Sequence, residues 1–132
     1  MYGKYIAYIT IPWALENECF MSYKIAMRQV NAHAYVNAAM RAVVNPSTGV
    51  IASGSTVVLG GIEPRPTRFT ATEAALTNLQ VKDTASFQSV ASALMASLNP
   101  CSFTGRQDFR KSVAVNYFYK FFLYLQGGAL PA

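Results

Sequence analysis

The apolar positions of this chain follow two rhythms in succession: short β-type runs up to residue 59, then a helical spacing. Residues 4–11, KYIAYITI, are β-branched and aromatic, lie between Gly3 and Pro12, and predict a strand. In residues 19–27, CFMSYKIAM, Phe20, Ser22 and Lys24 alternate with Met21, Tyr23 and Ile25. Periodicity alone fits helix or strand there, and the alternation favours a strand with two unlike faces. Residues 31–44, NAHAYVNAAMRAVV, carry alanines that suit a helix and Tyr35, Val36, Val43 and Val44 that suit a strand. The turn Asn45-Pro46-Ser47-Thr48-Gly49 leads into residues 50–59, a second β-rich run, so the pair reads as a hairpin. Ser53-Gly54-Ser55-Thr56 inside that run is small and polar, the composition of a bulge or a close backbone approach.

Gly60-Gly61, Pro64 and Pro66 break the strand pattern, and the remainder reads as helix. Thr70-Ala71-Thr72-Glu73 has the form of a capping box, in which a hydroxyl and a carboxylate satisfy orphan amides at a helix start. Residues 83–98 place Phe87, Val90, Ala91, Leu94 and Leu98 on one helical face, and Asn99-Pro100 ends it. Residues 104–107 form a second capping box, predicting a third helix from near Gly105 to Gly127-Gly128. Strands followed by helices predict an α+β fold: an antiparallel β-sheet with helices packed on one face and a helical C-terminal half. At 132 residues the chain is expected to form a single domain, 1–132.

The third helix is crowded with aromatics, yet residues 112–125 are too few to cross a bilayer core, which takes about 20 helical residues. Asn116 and Lys120 also interrupt them. Ala114, Val115, Phe118, Phe121, Phe122 and Leu125 form a stripe suited to cover a sheet. Phe109, Val113 and Leu123 lie toward a second side, and Tyr117, Tyr119 and Tyr124 widen the band. A helix apolar around most of its circumference is expected to be covered on more than one side.

Composition sharpens this expectation, because 52% of the residues are hydrophobic and only 13% charged, against roughly 25% in an average soluble domain. Part of the surface is therefore expected to be covered by something else. The net charge of +5 is scattered, whereas nucleic-acid binding needs cations gathered on one face. Cys19 and Cys101 lack metal-ligand spacing and read as buried reduced thiols. No signal peptide is visible at the N-terminus. His33, between alanines, reads as a hydrogen-bonded structural residue and not a metal ligand or catalytic base. Gly60-Gly61 opens no phosphate-binding motif, and Glu16 and Glu18 form no paired-carboxylate site. Lys24 lies mid-strand among apolar neighbours, where an ammonium must reach solvent or an anionic partner.

Gly105, Asp108, Phe109 and Arg110 before a Phe-rich C-terminal helix resemble the close of the flavin domain in xanthine dehydrogenases and aldehyde oxidases. Other matching features follow in order: Ile11-Pro12, an acidic loop, Phe20 to Lys24, the strand from Asn31 to Ala38, Gly60-Gly61, and Arg68 with residues 70–79. The resemblance spans nearly the whole chain and implies the C-terminal subdomain of the FAD domain of a molybdenum hydroxylase, the carbon monoxide dehydrogenase flavoprotein C-terminal domain. It implies an α+β unit packed against the FAD-binding N-terminal subdomain, in a cytoplasmic and homodimeric parent enzyme. Two flavin contacts carry over: Ile6, six residues before Pro12, and Lys24, twelve residues after it. The sequence departs from the family at Ala39, where a Gly is usual, and at Arg28-Gln29-Val30, which replaces a more charged connection.

The Gly-rich loops for the FAD pyrophosphate, the iron-sulfur cysteines and the molybdopterin domains have no counterpart in these residues. The chain by itself is thus expected neither to hold FAD firmly nor to turn over a substrate. In the parent, electrons from a purine or aldehyde would pass through molybdenum and iron-sulfur centres to FAD and then to NAD or oxygen. The implied neighbour would also face Phe109, Val113 and Leu123. An alternative is a free-standing, non-catalytic interaction domain of the same fold.

Overall fold

The computed structural model describes Gly3, residues 5–102 and residues 105–127. Four strands, β1 (Glu18–Ala26), β2 (Ala34–Val43), β3 (Thr56–Gly60) and β4 (Thr67–Arg68), form one sheet. Each strand pairs antiparallel with the next in the chain, in the order β1-β2-β3-β4. Three helices follow, α1 (Thr70–Leu76), α2 (Thr84–Ser97) and α3 (Gln107–Leu125). The α+β architecture with a helical C-terminal half is the one the sequence rhythm predicts.

The period-two alternation of β1 and β2 sorts side chains between faces. Val36, Ala38, Met40 and Ala42 of β2 and Val57 and Leu59 of β3 are buried, with Cys19, Met21, Tyr23 and Ile25 of β1 packed against them. α3 crosses β2 and β1, α1 lies on β3, and α2 rests on α1 and α3. Ala114, Phe118, Phe121, Phe122 and Leu125 of α3 and Phe87, Val90, Leu94 and Leu98 of the α2 segment complete the core. Phe87 is its centre: its ring stacks on Phe122 with centroids 3.7 Å apart and on Phe118 at 4.8 Å. Fully burying one such ring stabilises by about 1.5–3 kcal/mol. α2 thus supplies part of the second covering that the broad apolar band of α3 demands. Tyr117 is buried in a 4.9 Å stack on Tyr23, and Val113 is half-buried. Phe109 and Leu123 remain exposed.

Local expectations were met unevenly. Asp83 caps α2, its Oδ1 accepting from the Ser86 amide at 3.0 Å. Thr70, by contrast, is not a cap. It is the first residue of α1, the N-cap position is Phe69, and no side chain caps the helix. Glu73 is instead drawn away to the Val57 amide at 2.9 Å and to Arg68 Nε at 3.0 Å and Nη2 at 2.6 Å. A buried strand amide and a guanidinium outcompete the local amides for that carboxylate. Thr104 lies outside the described residues, and α3 starts at Gln107, with Arg106 at the N-cap in the left-handed region (φ 52°) and no side-chain cap bond.

Two predicted strands need correction. Of residues 4–11, Lys4 lies outside the described residues, and the others form no strand. Residues 5–11 pair with no strand among the described residues, and a lone strand has no ladder to satisfy its amides. The β-rich run from residue 50 is also interrupted. Val50 and Ile51 make only isolated bridges, to Gln80 and Val44, and β3 begins at Thr56, after Gly54 in the left-handed region (φ 90°).

Candidate functional site

The face of the sheet turned away from the helices is built by three cross-strand rows. Register places Lys24, Asn37 and Gly60 side by side, then Ser22, Ala39 and Val58, then Phe20, Arg41 and Thr56. The alternation that sends Met21, Tyr23 and Ile25 into the core brings Phe20, Ser22 and Lys24 outward. Ser22, Lys24, Asn37, Ala39, Val58 and Gly60, with Pro66, line a shallow cavity of about 390 Å³. The floor is mostly small and apolar, and Lys24 and Asn37 add polar side chains at paired positions of β1 and β2.

Gly60 leaves room for its neighbour. A Cβ added there would collide with Asn37 Oδ1, so the absence of a side chain opens the place that the Asn37 carboxamide occupies. Lys24, Asn37 and Ser22 make no side-chain hydrogen bond among the described residues, and all three are exposed. At the other end of the face Arg41 is engaged, its Nε 2.6 Å from Glu18 Oε1 and its Nη1 3.0 Å from the Gly54 carbonyl. Arg41 and the Leu15 amide hold the Glu18 carboxyl below the usual carboxylate range. Its charge is thereby matched, whereas Lys24 leaves an unmatched positive charge on the face.

Beneath Lys24, on the core side, burial pushes the Tyr23 and Tyr117 hydroxyls up from the ordinary tyrosine value. Both rings serve as packing, and the Tyr23 hydroxyl is buried without a partner. Cys19 and Cys101 are both half-buried, and burial raises the Cys19 thiol above its ordinary value.

The structure therefore places Lys24 in a formed concavity. Ile6 is 68% exposed on the N-terminal arm, residues 5–15, and is not among the cavity's lining residues. His33 is exposed and makes no hydrogen bond among the described residues, which corrects the expectation of a hydrogen-bonded residue. It lines a second cavity of about 470 Å³ with Met27, Arg28, Tyr35 and Arg110. No group of three or more metal-ligating side chains occurs among the described residues.

Arg110 has a structural role that composition did not announce. It is buried, donates from Nε to the Gly105 carbonyl at 2.9 Å and from Nη1 to the Gly61 carbonyl at 2.8 Å, and also bonds the Tyr35 carbonyl. It ties the start of α3 to the ends of β2 and β3. The signal for it was positional: Arg110 shares the helical stripe of Ala114, Phe118 and Phe121. Asn37 and Gly60 were also overlooked as a pair, because their adjacency depends on register between strands separated by a long loop.

The face also fits one side of a planar heteroaromatic group such as a flavin ring. Small residues give a flat floor, the Gly60 clearance admits the carboxamide, and a cation and an amide stand at the rim. It offers no phosphate-binding glycine loop.

No curated protein matches the chain. Among solved structures, carbon monoxide dehydrogenase from Hydrogenophaga pseudoflava, in a form that lacks the Mo-pyranopterin moiety of its cofactor, is 21% identical with a TM-score of 0.66. The similarity covers 82% of this chain and 36% of that one. Quinoline 2-oxidoreductase from Pseudomonas putida 86 is 22% identical with a TM-score of 0.65, over 82% of this chain and 37% of that one. Reconstituted CO dehydrogenase from Oligotropha carboxidovorans is 17% identical with a TM-score of 0.65, over 80% and 36%. These likenesses show the fold, and this chain spans little more than a third of those chains. The sequence profile of the CO dehydrogenase flavoprotein C-terminal domain matches residues 21–125, from β1 to the last residue of α3, and by that match the chain belongs to this family.

Proposed function

We propose that the open sheet face is one wall of a flavin site, with Lys24 as its charged contact to FAD. The observation that carries this reading is the unmatched ammonium of Lys24 over a small-residue floor, in a domain of a flavoprotein family. The cofactor, when bound, would supply hydride and single-electron chemistry. The protein's part is local: Lys24 fixes a positive charge beside the ring edge, where it favours electron density arriving on reduction. Ser22, Ala39 and Val58 exclude water from one ring face.

The pyrophosphate and adenosine of FAD would be held elsewhere, by an FAD-binding N-terminal subdomain. Residues 1–132 are read as one domain of that larger enzyme, and the arm of residues 5–15 as its reach toward the neighbour. Tyr5, Tyr8, Ile11 and Trp13 are all widely exposed, and residues 5–14 make no hydrogen bond among the described residues. Docking would give Ile6 the apolar surroundings it lacks here and bring it toward the ring. The parent is read as a cytoplasmic, homodimeric oxidoreductase of xanthine dehydrogenase or aldehyde oxidase type. Molybdopterin and iron-sulfur clusters would sit in other domains, and NAD or oxygen would accept the electrons. The chain alone would be inactive.

The test is Lys24→Ala in the complete protein that carries this chain. Lower flavin content or a more negative flavin reduction potential is expected. Unchanged content and an unchanged potential would remove Lys24 from the site.

A further inference from the structure

Within the flavin reading above, on which this inference rests, we propose that Asn37 is a second binding residue, its carboxamide pairing with the imide edge of the same ring. Three independent features of the face lead to it.

Asn37 is the direct cross-strand partner of Lys24, so both side chains leave the same face at adjacent positions. Its other neighbour in the row is Gly60, and any Cβ there would collide with Asn37 Oδ1. The glycine that ends β3 thus leaves the carboxamide its place. Finally, the exposed carboxamide makes no hydrogen bond among the described residues.

A carboxamide carries a donor N–H₂ and an acceptor carbonyl side by side. The pyrimidine end of an isoalloxazine carries the complement, an N–H flanked by two carbonyls. A lysine supplies charge but no acceptor and no plane, so Lys24 alone recognises an anionic or electron-rich edge without reading its hydrogen-bond pattern. Asn37 adds that reading. Its class of ligand is a flat heteroaromatic imide, and Gly60 is the residue that positions it.

The experiment uses the complete protein, stripped of flavin and titrated by fluorescence quenching with FAD and with FAD methylated at the imide nitrogen. One hydrogen bond predicts that Asn37→Ala weakens FAD binding about 5- to 10-fold. The methylated cofactor should be weakened similarly in the wild type, and that difference should vanish in Asn37→Ala. Gly60→Ala should lose affinity in the Asn37 background and little in Asn37→Ala. If Gly60→Ala does not fold, the methylated cofactor decides alone, since Asn37 is exposed and its truncation leaves no buried gap. Loss of affinity in Lys24→Ala with none in Asn37→Ala, or an undiminished methylation effect in Asn37→Ala, would overturn the proposal while leaving the flavin wall standing. Wild-type affinity in Lys24→Ala and Asn37→Ala alike would overturn both.

Discussion

Glu73 is predicted to stabilise the fold through one backbone amide more than through its ion pair. The Val57 amide is buried, and its hydrogen bond goes to Glu73 Oε1 at 2.9 Å. Truncation in Glu73→Ala strands that donor, which costs about 1–3 kcal/mol. The Arg68 side chain is 59% exposed against 9% for Glu73, so its guanidinium rehydrates once released. The ion pair itself therefore adds less than about 1 kcal/mol. Together these give roughly 2–3 kcal/mol for Glu73→Ala, under 1 kcal/mol for Arg68→Ala, and about 1 kcal/mol for Glu73→Gln, which keeps an acceptor for the amide.

Urea unfolding of the three variants measures these values. An Arg68→Ala loss as large as that of Glu73→Ala would refute the reasoning, because the ion pair and not the amide would then dominate. The pH dependence has a definite sign. The Arg68 hydrogen bonds, and then the Val57 amide, hold the Glu73 carboxyl below its ordinary value against the opposing effect of burial. The native state therefore binds this proton less readily than the unfolded chain. Its contribution is complete above the unfolded value, about 4.3, and is lost as pH falls through the lower native value. Glu73→Gln should flatten the acid side of the stability curve.

The remaining expectations are briefer. Gly61 sits at φ 81°, and a Cβ there would collide with the Tyr35 carbonyl, so Gly61→Ala should lower the unfolding free energy by at least about 1–3 kcal/mol. Phe87→Ala, which removes the ring stacked on Phe118 and Phe122, should cost about 3–5 kcal/mol in the same assay. Trp13 is the single tryptophan and is 96% exposed. Its emission in this chain should be that of a hydrated indole, open to acrylamide quenching. In the complete protein it should shift to shorter wavelength and resist the quencher, and an unchanged spectrum there would count against docking of the arm.

Which features were legible in the sequence depended on whether their cause was local. The α2 helix was readable because its core stripe lies within its own residues and Asn99-Pro100 stops it. The two faces of β1 and β2 were readable for the same reason, since alternation is written into each strand. Thr70-Ala71-Thr72-Glu73 misled because Val57 and Arg68 claim Glu73 only once β3 and β4 stand beside α1. Residues 4–11 misled in another way. β-propensity describes a preference for a ladder, and the described residues offer none to residues 5–11. At the site, Lys24 was visible as an ammonium in an apolar strand. Its row with Asn37 and Gly60 was not, because a register between strands separated by a long loop is a tertiary fact.

The meander with its helices last also sets the order in which the chain acquires its protection during synthesis. β1 to β3 pair in the order they leave the ribosome, yet the helices that lie on β2 and β3, α3 and α1, come later in the chain. From Gly60 to Leu125, elongation at about 5–20 residues per second takes roughly 3–13 s. For that interval the nascent sheet has an apolar face that α3 does not yet cover, a feature that recruits chaperones or other nascent chains. A chain that stops before α3 should keep that apolar face bare over β2, so premature termination there would yield a sticky product and not merely a shorter one.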